Sequence, residues 1–196
     1  MSALGISNLA WTREHDAAVA ERLIDASVHS IDVAPGRYLE RPPQWTRDEA
    51  EAVRRFWSDR GIAIHGMQAL FHGSQGLALF GDDDARSALL HHLDGVLGYG
   101  AALGATRAVF GSPALRRRGA LAPERAQTIA VDAFLRAGDL AASHGIVLCI
   151  EPNPSIYGCD FLTDHAGTAD FVRACAHPNV RMQFDLGALI ANGEDI

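Results

Sequence analysis

At 196 residues the chain suits one domain with a large core, and 48% hydrophobic against 21% charged residues is globular composition rather than that of a disordered chain. A net charge of −7 argues against binding along a nucleic-acid backbone. No apolar run approaches the roughly 20 residues of a membrane helix, and the three cysteines, Cys149, Cys159 and Cys175, form no CxxC.

The N-terminal "MSALGISNLAW" lacks a basic segment followed by a long apolar one, so it does not read as a signal peptide. The expected setting is a reducing cytoplasm, with no membrane and no nucleic-acid partner. In chain order, the run "LGISNLAW" (4–11) predicts a first strand. Asn8 and Trp11 at its end could form a stacking wall for a ligand, or Trp11 could belong to the core or rim. A second run, "HSIDVAP" (29–35), carries Asp32, which could hydrogen-bond within a strand-end mouth.

Thr46 with Glu49 is a capping-box pattern ahead of Val53, Phe56 and Trp57, and predicts a helix. The third run, "GIAIHGMQ" (61–68), ends with His65 and Gln68, which alternation points to opposite faces. Gln68 lies nearer the C-terminal end, and His65 could equally be a satisfied core group. Asp82, Asp83 and Asp84 suit a helix N-terminus before Leu89, Leu90, Leu93 and Leu97. His72, His91 and His92 read as solvated or structural.

The fourth run, "TRAVFGSP" (106–113), leads into a loop where Ser112 and Arg116 could hold a phosphate. Otherwise Arg116, Arg117 and Arg118 form a solvated loop. Pro123 fits the first position of the next helix. The fifth run, "GIVLCIEP" (145–152), is uncharged until Glu151, and Pro152 and Pro154 then stiffen the chain. Asn153 between them could offer an amide to a substrate hydroxyl or serve as a turn residue. Thr163 is expected to cap a helix carrying Phe171, Val172 and Cys175. The sixth run, "VRMQFD" (180–185), closes on Asp185. Gly61, Gly104 and Gly145 stand where preceding helices should end.

Strand and helix thus alternate six times, which means a parallel sheet. The first strand is not followed by GxGxxG, so the pattern favours a (β/α) barrel over a doubly wound nucleotide-binding sheet. An eight-stranded barrel takes about 250 residues. The expectation is therefore a single TIM-type barrel domain over 1–196, C-terminally incomplete, with about six βα units and lacking the last two. Its free sheet edges would favour a homo-oligomer.

Barrel active sites lie at the C-terminal strand ends. Glu151 and Asp185 close neighbouring strands there, and two hard oxygen ligands suit a divalent ion such as Mn²⁺ or Mg²⁺. The alternative is that each caps a helix or binds a loop arginine.

The stretches "ISNLAW", "IDVAPGR", "GMQALF", "VFGSPALRRRG", "IEPNPSIYGCDFLT" and "FDLGALIANGED" carry a resemblance that runs the length of the chain. "EPNP" followed by "YGCDF" is the most specific of them. The chain resembles the xylose-isomerase-like TIM-barrel superfamily, which includes sugar-phosphate isomerases/epimerases, ketose 3-epimerases, hydroxypyruvate isomerase, inosose dehydratase and endonuclease IV. The resemblance implies a metal ion (Mn, Mg, Co or Zn) held by Glu, Asp, His and Glu from strands five to eight. The first two match Glu151 and Asp185, and the others would lie beyond Ile196. Many relatives place a His three residues after the Asp, where this chain has Ala188.

The implied function is a metal-dependent sugar or sugar-phosphate isomerase/epimerase acting through an enediolate, with Glu151 both a ligand and one of the acid/base pair. Three alternatives remain. One is an inosose-type dehydratase on the same scaffold. Another is a non-catalytic degenerate barrel. The third, an endonuclease IV-type repair enzyme, is opposed by the negative charge and Ala188.

Overall fold

The computed structural model describes residues 4–195. Met1 to Ala3, where the segment read for a targeting signal begins, lie outside the described residues, as does Ile196. Six strands form one sheet: β1 (Gly5–Ser7), β2 (Ser30–Val33), β3 (Ala63–Met67), β4 (Arg107–Phe110), β5 (Val147–Ile150) and β6 (Val180–Met182). Their spatial order is their chain order, and every neighbouring pair is parallel. Each predicted apolar run contains one strand.

Helices α1 (Asp16–Asp25), α2 (Arg47–Ser58), α3 (Asp83–Leu103), α4 (Pro123–Ser143), α5 (His165–Cys175) and α6 (Leu186–Asn192) follow the strands in turn. This is a TIM-barrel-like α/β arrangement. Among the described residues no helix is long and apolar enough to cross a membrane.

The helix starts follow from local chemistry. Thr46 and Glu49 form the full capping box of α2, and Asp82 caps α3 through the Ala85 amide. Pro123 opens α4. At the end of α3, Gly104 sits at φ +94°, a conformation that favours glycine. Thr163 does not cap α5. Asp164 does, accepting from the Gly167 amide at 2.7 Å. Both residue types can cap, and the frame of the helix puts the carboxylate under the free amides.

Ala108, Phe110, Leu148, Ile150 and Val180 are buried in the core. Phe110 meets Phe134 of α4, so this face of the sheet looks towards the helices. Strand alternation turns Arg107, Val109, Cys149 and Arg181 to the other face. An aromatic row threads the helix side. Phe71, Phe110, Phe134, Phe171, Phe161 and Phe80 follow one another at centroid spacings of 5.0–5.6 Å, mostly edge to face.

His92 of α3 stacks on Phe71 at one end of this row and meets the Leu70 carbonyl through Nε2 at 3.0 Å. Burial holds its pKa below the ordinary histidine value. A depressed folded value means that the stability His92 contributes is present above the unfolded pKa, about 6.5. It is lost as pH falls through the folded value. Urea unfolding midpoints should therefore drop on acidification below about pH 6.5, and His92→Gln should flatten that slope. An unchanged slope in the variant would assign the acid sensitivity to other groups.

Candidate active site

Glu151 is the first residue beyond β5. Its amide donates to the Phe110 carbonyl at 3.1 Å, so the β4–β5 ladder runs one step past the strand. The residue is half-buried, and by alternation it shares the face of Cys149. Its Oε2 accepts from the Asn153 amide Nδ2 at 3.0 Å. The carboxylate lies over Gly111, where a Cβ would come within 2.6 Å of Oε2. Glycine at the end of β4 thus opens the space the carboxylate occupies. Pro152 and Pro154 flank Asn153, and all three are buried, so the loop beneath the carboxylate is packed.

β6 ends at Met182, three residues before Asp185, although the Gln183 amide still donates to the Ile150 carbonyl at 2.8 Å. Asp185 is the N-cap of α6, its Oδ1 accepting from the Gly187 amide at 2.8 Å. Among the described residues its second oxygen accepts no hydrogen bond. The Asp185 amide donates to His165 Nε2 at 3.3 Å. A backbone amide can only donate, so the His165 proton sits on Nδ1, which faces Glu194 Oε2 at 3.1 Å. Glu194 also accepts from the His165 amide at 3.0 Å. The buried imidazole therefore ties the start of α5, the Asp185 turn and the end of α6 together. Sequence reading missed His165 and Glu194. The one available sign was a histidine directly after the capping aspartate.

The Glu151 pKa is raised above the ordinary carboxylate value. Burial is the largest cause and the charge of Asp185 adds to it, while the Asn153 hydrogen bond and Arg116 oppose it. A half-exposed carboxylate whose charge is opposed by burial and by a neighbouring aspartate beyond the next strand is the arrangement a divalent cation relieves. These two oxygen donors fit such an ion. Among the described residues no group of three or more His, Cys, Asp or Glu side chains could hold one.

The other sequence candidates divide. Asn153 is brought to Glu151 directly. Gln68 is half-buried, and its amide donates to the Ser7 hydroxyl across the ends of β1 to β3. His65 is exposed on β3, three residues before Gln68, and is paired with Arg107. Ser112 is half-exposed with φ +53° at the turn into the fourth loop, and its hydroxyl makes no cap.

Asn8 is 2% exposed, and its Oδ1 accepts from the Ala34 amide at 2.8 Å, which ties the end of β1 to the end of β2. Trp11 donates to Asp16 at 2.7 Å and packs against Trp57. Both side chains make contacts within the fold, Asn8 fully buried and Trp11 half-exposed.

Arg116 departs furthest from expectation. It is 0% exposed, so it is neither a solvated loop residue nor placed to meet an anion in the mouth. Arg117 donates to the Gly158 carbonyl at 2.8 Å, and Arg118 to the carbonyls of Asp160 and Leu121.

The family described as "Xylose isomerase-like TIM barrel" matches residues 20–196. No curated protein matches the chain. Among solved structures, a D-psicose 3-epimerase determined in the presence of D-fructose is 19% identical, with a TM-score of 0.74 over 97% of this chain and 66% of that one. D-Psicose 3-epimerase from Clostridium cellulolyticum H10 with D-tagatose is 16% identical, with a TM-score of 0.77 over 98% of this chain and 66% of that one. The IOLI protein with a bound zinc atom is 15% identical, with a TM-score of 0.74 over 99% and 66%. At these identities the likeness is one of fold. The chain spans just under two thirds of the length of each of these structures. Six consecutive parallel βα units agree with the family match along nearly the whole sequence, and the chain belongs to the xylose isomerase-like TIM-barrel family.

Proposed function

We propose that this chain carries two metal ligands and one proton-transfer group of a sugar isomerase/epimerase. The observation that carries the reading is the placement of Glu151 just beyond β5 and Asp185 beyond the neighbouring β6, with the Asp185 charge adding to the rise of the Glu151 pKa. Both would hold a divalent ion, which when bound polarises a substrate carbonyl and its neighbouring hydroxyl. Glu151 takes the proton from the carbon α to that carbonyl. The C–H bond breaks, its electron pair enters the enediolate, and the carboxylate becomes a carboxylic acid. Epimerisation is completed when a second acid, on the face opposite Glu151, protonates the same carbon; isomerisation is completed when Glu151 gives its proton to the neighbouring carbon and the adjacent hydroxyl proton passes to the former carbonyl oxygen. Asn153 steadies Glu151 Oε2 throughout.

The arginine placements narrow the substrate class. Arg116 is buried, and Arg117 and Arg118 are engaged with the neighbouring loop. This supports an unphosphorylated keto-sugar over a sugar phosphate. Related structures titled as D-psicose 3-epimerase and L-ribulose 3-epimerase fit that class.

The test is proton NMR in D₂O with Mn²⁺ and a panel of ketoses and ketose phosphates. Deuterium should enter a ketose at the carbon α to the carbonyl, with an epimer or isomer accumulating. Loss of water from the sugar instead would assign dehydration, and an unexchanged panel would overturn the reading.

A further inference from the structure

Arg116 is fully buried, and among the described residues no carboxylate pairs with it. Its Nη2 donates to the Glu151 carbonyl at 2.8 Å and also to Asn153 Oδ1. Nε and Nη1 have no partner among the described residues. Burying a guanidinium against neutral acceptors is costly to the fold. It does, however, dictate one thing about its surroundings.

A guanidinium only donates, so the Asn153 amide must turn its oxygen towards Arg116. Its Nδ2 is then forced to the opposite side. There it donates to Glu151 Oε2 at 3.0 Å and to the Pro152 carbonyl at 3.2 Å. A flipped amide would set Nδ2 against the guanidinium and Oδ1 against the carboxylate, both repulsive.

The loop bearing Arg116 is anchored on both sides of this contact. The Leu79 amide donates to the Leu115 carbonyl at 2.9 Å. The amides of Arg118 and Gly119 both donate to the Asp160 carboxylate, at 2.7 and 3.0 Å. The guanidinium therefore has little room to withdraw from Asn153.

We propose that Arg116 is a positioning residue for Glu151: it sets the Asn153 amide in the one orientation that holds Oε2, and so aims the carboxylate across Gly111. The proposal rests on the reading of Glu151 as the proton-transfer group. Its geometric half can be tested without activity.

The first measurement is solvent exchange of the Asn153 side-chain amide protons by ¹⁵N NMR, in the wild type, Arg116→Met and Arg116→Lys. In Arg116→Met exchange should quicken by at least about tenfold, the factor for losing a hydrogen bond to a charged group. Arg116→Lys keeps a donor on a shorter head and should fall between the other two. Exchange identical to wild type in both variants would overturn the proposal. If Arg116→Met does not fold, identical exchange in Arg116→Lys alone would do so.

The second measurement is a double-mutant cycle on the α-deuteration rate with Arg116→Met and Asn153→Ala. A residue acting through Asn153 gives a double variant no slower than Asn153→Ala alone, with the loss in kcat rather than KM. Additive losses would mean Arg116 acts independently, against the proposal. A wild type without deuteration would fault the proposed function and leave the amide-exchange result to decide the role of Arg116.

Discussion

Glu151→Gln is expected to lower the α-deuteration rate by about 10²–10⁴-fold, the usual contribution of a positioned general base. The substitution preserves shape. A glutamine can keep its oxygen towards Asn153 Nδ2, the bond Glu151 makes at 3.0 Å. Its nitrogen then takes the place of Glu151 Oε1. The variant can neither accept the substrate proton nor supply an anionic oxygen to a cation.

Stability should move the other way. The folded pKa of Glu151 is raised, chiefly by burial. A carboxylate with a raised folded value stabilises the fold only where it is protonated, and that contribution is lost as pH rises through the folded value. At neutral pH the charged form is therefore a burden that glutamine removes. The variant should melt at or above the wild-type temperature near pH 7, and the difference should close below about pH 4.5. Lost exchange with a kept or raised melting temperature marks a residue placed for chemistry. Near-normal exchange would remove Glu151 from the mechanism.

The strands were legible because a sheet covered by helices demands continuous apolar runs, and each run stands out between polar segments. Helix starts were legible where the capping chemistry is local, as at Thr46 and Asp82. The pair Glu151 and Asp185 was legible because a charge closing an apolar run is anomalous in any strand. Arg116 was not. Three consecutive arginines ordinarily mark a solvated surface, and the burial of the first depends on partners 35 and 37 residues away. Nor was the link from His165 to Glu194, which spans 29 residues and joins the start of α5 to the chain just beyond α6. Contacts of this kind arise only after neighbouring βα units have packed. Local pattern shows where a strand ends and which side chain stands there, but not what supports that side chain from behind.

Phe134→Ala is expected to cost about 3–5 kcal/mol of stability, the range for emptying a buried aromatic site, against a total of about 5–15 kcal/mol for a domain. Phe134 is 2% exposed on α4 and stands in the middle of the aromatic row, with Phe110 at 5.0 Å and Phe171 at 5.4 Å. Truncation therefore breaks two edge-to-face pairs, each worth about 0.5–1.5 kcal/mol beyond area burial. The cavity opens between β4, α4 and α5, where rings on both sides are themselves held by further rings and cannot easily collapse inwards. Phe80 offers the internal comparison. It is half-buried at the end of the row and has one ring neighbour, Phe161 at 5.0 Å. Phe80→Ala should cost well under half as much in urea unfolding. The damage in Phe134→Ala should also reach the site, because Phe110 directly precedes Gly111 and its carbonyl receives the Glu151 amide. A row that acts as one packed unit requires the central substitution to exceed the terminal one by a wide margin. Equal costs at the two positions would mean that the rings contribute singly, and that the ends of β4 and β5 are held in place by their backbone ladder alone.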